Sequence, residues 1–174
     1  EIAEIYLKNI IIKNKIIINQ PKALIMDFDG VHTNNKVYLD SDGNELVLCS
    51  RSDGMGLKQL KENLNIKLLI LSSERNRVVQ KRATKLNIEC IQTNGKKIEI
   101  LDDWLKNNNL IYEDVIFIGN DVNDIDCIQK VGVSFCPNDA ESLIKENVDH
   151  VLKKNGGNGA IRELTNIILS NVND

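Results

Sequence analysis

A concentrated run of positive charge is missing from these 174 residues: 22 Lys and Arg and 25 Asp and Glu are scattered along the chain, for a net charge of −3. Gripping a phosphate backbone takes a basic stripe, so the composition argues against nucleic acid as a partner. Long apolar runs are missing as well. The first twenty residues, EIAEIYLKNIIIKNKIIINQ, are rich in isoleucine, but Lys8, Lys13 and Lys15 interrupt them well short of the roughly 20 apolar residues that cross a bilayer. That segment has no small-residue cleavage site, which argues against a secretory signal peptide. Cys49, Cys90, Cys127 and Cys136 form no CxxC pair. A zinc site or a disulfide framework is therefore disfavoured, and the thiols read as small hydrophobes of a reduced, cytoplasmic protein. Internal repeats and low-complexity domains are also absent.

What is present is enough apolar content, 42% of the chain, to build one core. From Lys22 onward, short apolar runs alternate with amphipathic stretches, the pattern of a parallel sheet covered by helices. Strands are expected at Ala23–Asp27, Lys67–Leu71, Ile88–Ile91, Val115–Ile118, Val133–Cys136 and His150–Leu152. Helices are expected at Gly54–Asn63, Arg75–Leu86, Lys97–Asn107, Ile125–Lys130, Glu141–Asn147 and Ala160–Ser170. One insertion, KVYLDSDGNELVLCS, reads as two β-patterned runs around Asp40-Ser41-Asp42-Gly43, a hairpin. The expected fold class is thus α/β, a Rossmann-like parallel sheet with helices on both faces and a hairpin insertion.

Ligands of open parallel sheets bind at the carboxyl ends of the strands, so the residues that end each apolar run are the candidates. The first run ends in Asp27-Phe28-Asp29-Gly30-Val31-His32-Thr33, the second in Ser72-Ser73-Glu74-Arg75, and the third in Gly119-Asn120-Asp121-Val122-Asn123-Asp124, while Lys97 opens a helix between the last two. Carboxylates gathered at two strand ends repel one another unless a cation lies between them, and hard oxygen ligands favour Mg²⁺. The Ser72 hydroxyl and the Lys97 ammonium are the groups needed to hold phosphate oxygens and offset the charge of phosphoryl transfer.

DFDGVHT, a strand-end Ser, a Lys and GNDVND, in that order, resemble the four-motif signature of the haloacid dehalogenase-like phosphatases. The resemblance implies that Asp27 is the nucleophile and Asp29 the general acid and base, with Ser72 and Lys97 holding the phosphoryl group. It implies Mg²⁺ on Asp27, the Asp29 carbonyl and Asn120, with Asp121 and Asp124 close by. Asn120 departs from the family, which usually has Asp immediately after the Gly; losing that charge should weaken metal binding. A catalytically weak domain that mainly tetramerises an attached cytidylyltransferase therefore stays open as an alternative.

The hairpin, the SDGMG segment at Ser52–Gly56, the Ser72–Arg75 turn and GGNGAIRE at Gly156–Glu163 resemble the cap-less branch of that family, which acts on eight- and nine-carbon keto-sugar acid phosphates. Eight-carbon enzymes tend to carry a basic residue where Ser52 stands and Gly-Arg where Ser73-Glu74 stands, so the resemblance points to a nonulosonate 9-phosphate. Thr33, Ser73, Glu74, Arg75 and Arg162 are the expected substrate contacts, Arg162 by reaching a neighbouring subunit's site. A chain with no room for a cap is expected to close its site with a neighbouring subunit, and the resemblance implies a homotetramer. EIAEIYLK resembles the closing helix of acylneuraminate cytidylyltransferases. That likeness implies a division into residues 1–20, the tail of a preceding domain, and residues 21–174, the phosphatase domain, in sialic-acid-like sugar biosynthesis. His32 and His150 read as structural, and Trp104 as a core residue on the apolar face of its helix.

Overall fold

The computed structural model describes residues 20–172; the expected N-terminal helix lies outside the described residues. β1 (Ala23–Met26) is buried at every position, as a continuous apolar run must be when helices cover both faces of a parallel sheet. It lies inside a six-stranded, wholly parallel sheet of order β5-β4-β1-β6-β7-β8. The remaining strands are β4 (Lys67–Ser72), β5 (Glu89–Gln92), β6 (Val115–Ile118), β7 (Val133–Cys136) and β8 (His150–Val151). β2 (Tyr38–Leu39) and β3 (Glu45–Leu46) form the separate antiparallel hairpin.

Successive side chains of the strands divide between two cores. Leu24, Met26, Ile70 and Ile116 pack under α1 (Arg51–Asn63), α2 (Arg77–Leu86) and α6 (Ala160–Val172) through Leu57, Leu60, Val79, Leu164 and Ile168. Ala23, Ile25, Leu69 and Phe117 face α3 (Lys97–Asn107), α4 (Ile125–Ile128) and α5 (Ser142–Asn147). Trp104 is buried in the second core beside Leu101 and Leu105. Cys127 and Cys136 are buried free thiols, and burial lifts them to about 12 and about 11.

The chain leaves β1 toward β4 and β5 and returns to the other side as β6, so the strand order reverses at β1. The carboxyl ends of β1, β4 and β6 are therefore adjacent, at the switch point where open sheets bind ligands. The other element ends fall within two residues of expectation, and two expectations shift further. The helix expected from Gly54 begins at Arg51, because Ser50 accepts from Asp53 N and caps it. The hairpin is shorter than its pattern, with two residues in each strand; its turn is held by Asp40, which accepts from Asp42 N and Asn44 N. Among the described residues, no helix is long and apolar enough to cross a membrane.

Candidate active site

Three elements deliver three charges to one buried point. Asp27 follows β1, Lys97 begins α3, and Asp124 closes the 3₁₀ turn after β6, all at most 5% exposed. Lys97 Nζ lies 2.7 Å from Asp27 Oδ1 and 2.7 Å from Asp124 Oδ1. Burial, then the neighbouring Asp124, push the Asp27 carboxyl up to about 7 against the pull of Lys97. Burial alone would lower the Lys97 ammonium, but Asp27 and Asp124 outweigh it and the net shift is upward. Phe28 N also donates to Asp27 Oδ1 at 2.7 Å, which leaves Oδ2 turned toward the next loop.

That loop brings Asn120. One end of its amide lies 2.7 Å from the Asp29 carbonyl oxygen and 3.1 Å from Asp27 Oδ2. With oxygen at that end, its separations from those two oxygens match the edges of an octahedron with Mg–O bonds of about 2.0–2.1 Å, which are roughly 2.9 Å long. The donor set thus fits a small hard cation: one carboxylate, one backbone carbonyl and one amide. Among the described residues no three Asp, Glu, His or Cys side chains form such a group. Mg²⁺ held there would draw charge from a phosphate oxygen.

Gly30, at φ 77°, makes the turn that brings the Asp29 carbonyl round, and a Cβ there would strike the Asn120 amide at 2.0 Å. Asp29 itself is half-buried, and its carboxyl is raised by that burial first and by Glu74 next, which favours its proton-carrying form. Ser72, buried at the end of β4, accepts from Glu74 N at 3.0 Å and keeps its own hydroxyl proton to donate.

Several expected roles change. Asp124 has both carboxylate oxygens engaged: Oδ1 takes Lys97, while Oδ2 accepts from Asn120 N at 2.9 Å and Asp121 N at 3.4 Å. Asp121 spends Oδ1 on Val122 N, capping the 3₁₀ turn. Thr33, expected to touch substrate, is fully buried beneath Asp29, to which its hydroxyl donates at 3.4 Å. Arg162 lines a groove with Ser50, Ser52 and Lys154 rather than the cleft of its own chain. Ser73, Glu74 and Arg75 do stand exposed at the mouth. Asn123 donates to Ser73 Oγ at 3.1 Å across it, and Arg75 Nε donates to Asn94. Ser73, Asn123, Lys96 and Lys97 line a cleft of about 350 Å³.

Asp53 is the residue whose part sequence reasoning missed. Buried in α1, it accepts from Arg162 N at 2.8 Å and Gly159 N at 3.4 Å, so it caps α6 from another helix. This anchors Gly156 and Gly157 on the catalytic loop: Gly157 N donates to Val31 O, and a Cβ on Gly156 would meet Gly30 O at 1.9 Å. The signal in the sequence is its place in the Ser52–Gly56 segment, which does not show that its partner is the start of α6.

A family model described as haloacid dehalogenase-like hydrolase matches residues 4–164. The chain belongs to the haloacid dehalogenase-like hydrolases. The 3-deoxy-D-manno-octulosonate 8-phosphate phosphatase of Haemophilus influenzae is 33% identical over 150 residues, 85% of this chain and 82% of its own. A solved structure of the corresponding phosphatase from Moraxella catarrhalis, in complex with magnesium ion, phosphate ion and KDO, superposes with a TM-score of 0.84 at 28% identity, covering 95% of this chain and 92% of its own. The cobalt-bound Haemophilus influenzae enzyme gives 0.82 at 31% identity, over 87% and 89% of the two chains. As a haloacid dehalogenase-like hydrolase the chain is of the cap-less kind: between β1 and α1 it carries only the β2–β3 hairpin.

Proposed function

We propose that this hydrolase, a phosphatase working with a divalent cation, removes the terminal phosphate of a keto-deoxy sugar acid of the nonulosonate 9-phosphate type, in sialic-acid-like sugar biosynthesis. The observation that carries the phosphatase reading is the convergence of Asp27, held by Lys97, with the Asp29 carbonyl and Asn120 around one cation-sized point.

Asp27 attacks phosphorus, and the bond to the sugar oxygen breaks as the Asp29 carboxylic acid gives that oxygen its proton. Asp29, now a carboxylate, takes a proton from water, whose oxygen attacks the aspartyl-phosphate. The bond to Asp27 breaks, inorganic phosphate leaves, and both carboxyls return to their starting state. Ser72 and Lys97 bind phosphoryl oxygens throughout, and Lys97 keeps Asp27 pointed at phosphorus.

Glu74 stands, after Ser73, where eight-carbon enzymes tend to carry Gly-Arg, and that resemblance supports the nine-carbon assignment. Its carboxylate accepts from Arg75 N at 2.7 Å and Asn76 N at 2.9 Å, which holds an acceptor for a hydroxyl or amide at the mouth. The octulosonate 8-phosphate reading is favoured by the names of the relatives. Phosphate release with Mg²⁺ over eight- and nine-carbon keto-sugar acid phosphates, beside Asp27→Asn, separates them. A higher kcat/KM for the eight-carbon acid overturns the nonulosonate assignment, and release no faster than with Asp27→Asn overturns the phosphatase reading. The same proposal includes a homotetramer and a cytidylyltransferase domain fused ahead of residue 20.

A further inference from the structure

Asn120 is 5% exposed and wedged between two surfaces. One end of its amide faces the Asp29 carbonyl oxygen and Asp27 Oδ2, at 2.7 and 3.1 Å, and the other presses on Gly30. The two ends of a carboxamide are nearly equal in size, so this packing admits either orientation, and hydrogen bonding decides between them. With nitrogen inward, Asn120 donates to both oxygens and the cluster is satisfied by hydrogen bonds alone. With oxygen inward, it becomes the third oxygen of a cation site. An Asp at this position has only the second option, because a carboxylate facing two acceptors needs a cation between them.

We propose that Asn120 is a two-position residue that stabilises the metal-free site with its nitrogen, ligates with its oxygen, and so makes metal binding depend on phosphate. This rests on the metal-dependent phosphatase reading above. A cation arriving alone must displace two hydrogen bonds and meets one negative charge fewer than an Asp would supply. The buried side chains at the point are two carboxylates and one ammonium, a net charge of −1. A divalent cation turns this positive, so a phosphate dianion is drawn in and holds the cation in return. With Asp at 120 the loaded site is neutral and that mutual help fades. Reciprocity requires each ligand to strengthen the other by the same factor.

Calorimetric titration of Mg²⁺ into the wild type and Asn120→Asp, with and without inorganic phosphate, tests the proposal, together with melting curves in EDTA. Phosphate should tighten Mg²⁺ binding about tenfold or more in the wild type and less than about threefold in Asn120→Asp. In EDTA the variant should melt lower by about 5 °C. Equal phosphate effects in the two proteins, or a variant that melts as high as the wild type in EDTA, overturn the proposal. Absence of Mg²⁺ binding in both, with and without phosphate, overturns the metal-dependent reading instead. Should the variant not fold, the Asn120 side-chain NH₂ resonances of the wild type decide. They should move when Mg²⁺ and phosphate are added together, and resonances that stay in place overturn the proposal.

Discussion

Lys97 divides its ammonium between Asp27 and Asp124 at 2.7 Å each, with all three groups out of water. The two ends of this arrangement respond differently to removal. Lys97→Met leaves two like charges buried without their cation, and breaking a buried pair in this way costs about 3–5 kcal/mol. Asp27→Asn removes a charge that Asp124 repels, so the protein should remain as stable as the wild type. Its turnover should fall by about 10³-fold or more, since an amide cannot be the nucleophile and about 4 kcal/mol of barrier lowering goes with it. Urea melts of both variants beside phosphate-release rates check the pair; residual Asp27→Asn activity within about tenfold of wild type would reject covalent catalysis by Asp27. His32 gives a pH dependence. It stacks on Phe28 at 5.6 Å with neither ring nitrogen partnered, and burial, then Arg82, hold it down to about 3. A His depressed in the folded state protonates first in the unfolded chain, so stability is lost as pH falls below the unfolded value of about 6.5 toward the folded one. Between pH 7 and pH 5 this amounts to about 2 kcal/mol. His32→Leu should remove that share of the acid sensitivity, measured by urea melts at the two pH values.

At the scale of elements, the interface of α1 and α6 connects stability to catalysis. Asp53 caps α6 and thereby holds Gly156 and Gly157 on the loop that carries Asp29. Asp53→Ala should cost about 1–2 kcal/mol, as loss of a helix cap does. It should also lower kcat more than it raises KM, because the loop that positions Asp29 loosens; an unchanged kcat would show that the loop stands without Asp53. The strands were legible because their burial on both faces leaves uninterrupted apolar runs: Val115–Ile118 and Val133–Cys136 have the expected bounds, and β1 differs by one residue. The start of α1 was hidden because a cap, not periodicity, sets it. The site was legible only in part. Sequence order places carboxylates at the strand ends without showing which way they turn, and Asp124 turns back to the backbone and Lys97. Thr33 likewise points beneath the loop rather than out of it.

At the scale of the molecule, the unfinished surface is the hairpin. Val37, Tyr38, Leu39, Leu46 and Leu48 are 48–66% exposed, and two strands of two residues cannot form a stable sheet alone. Neighbouring copies of the hairpin would bury that apolar cluster and satisfy its open edges. The active-site mouth lies beside the same insertion, where Asn76 at the head of α2 donates to Glu45 at 2.9 Å. Association through the hairpin would therefore also set the wall of the cleft and exclude water from it. Light scattering at micromolar concentration should give a multimer, with four copies expected. Deleting residues 37–49 should dissociate it and depress kcat/KM together, because the cleft loses its wall. A monomeric wild type would contradict association outright, and a deletion variant that stays tetrameric would place the interface on another face. The finer test replaces Tyr38, Leu39, Leu46 and Leu48 with Ser, which leaves the backbone turn of Asp40 and Asn44 intact. Dissociation of that variant assigns the energy of assembly to the apolar side chains rather than to strand pairing.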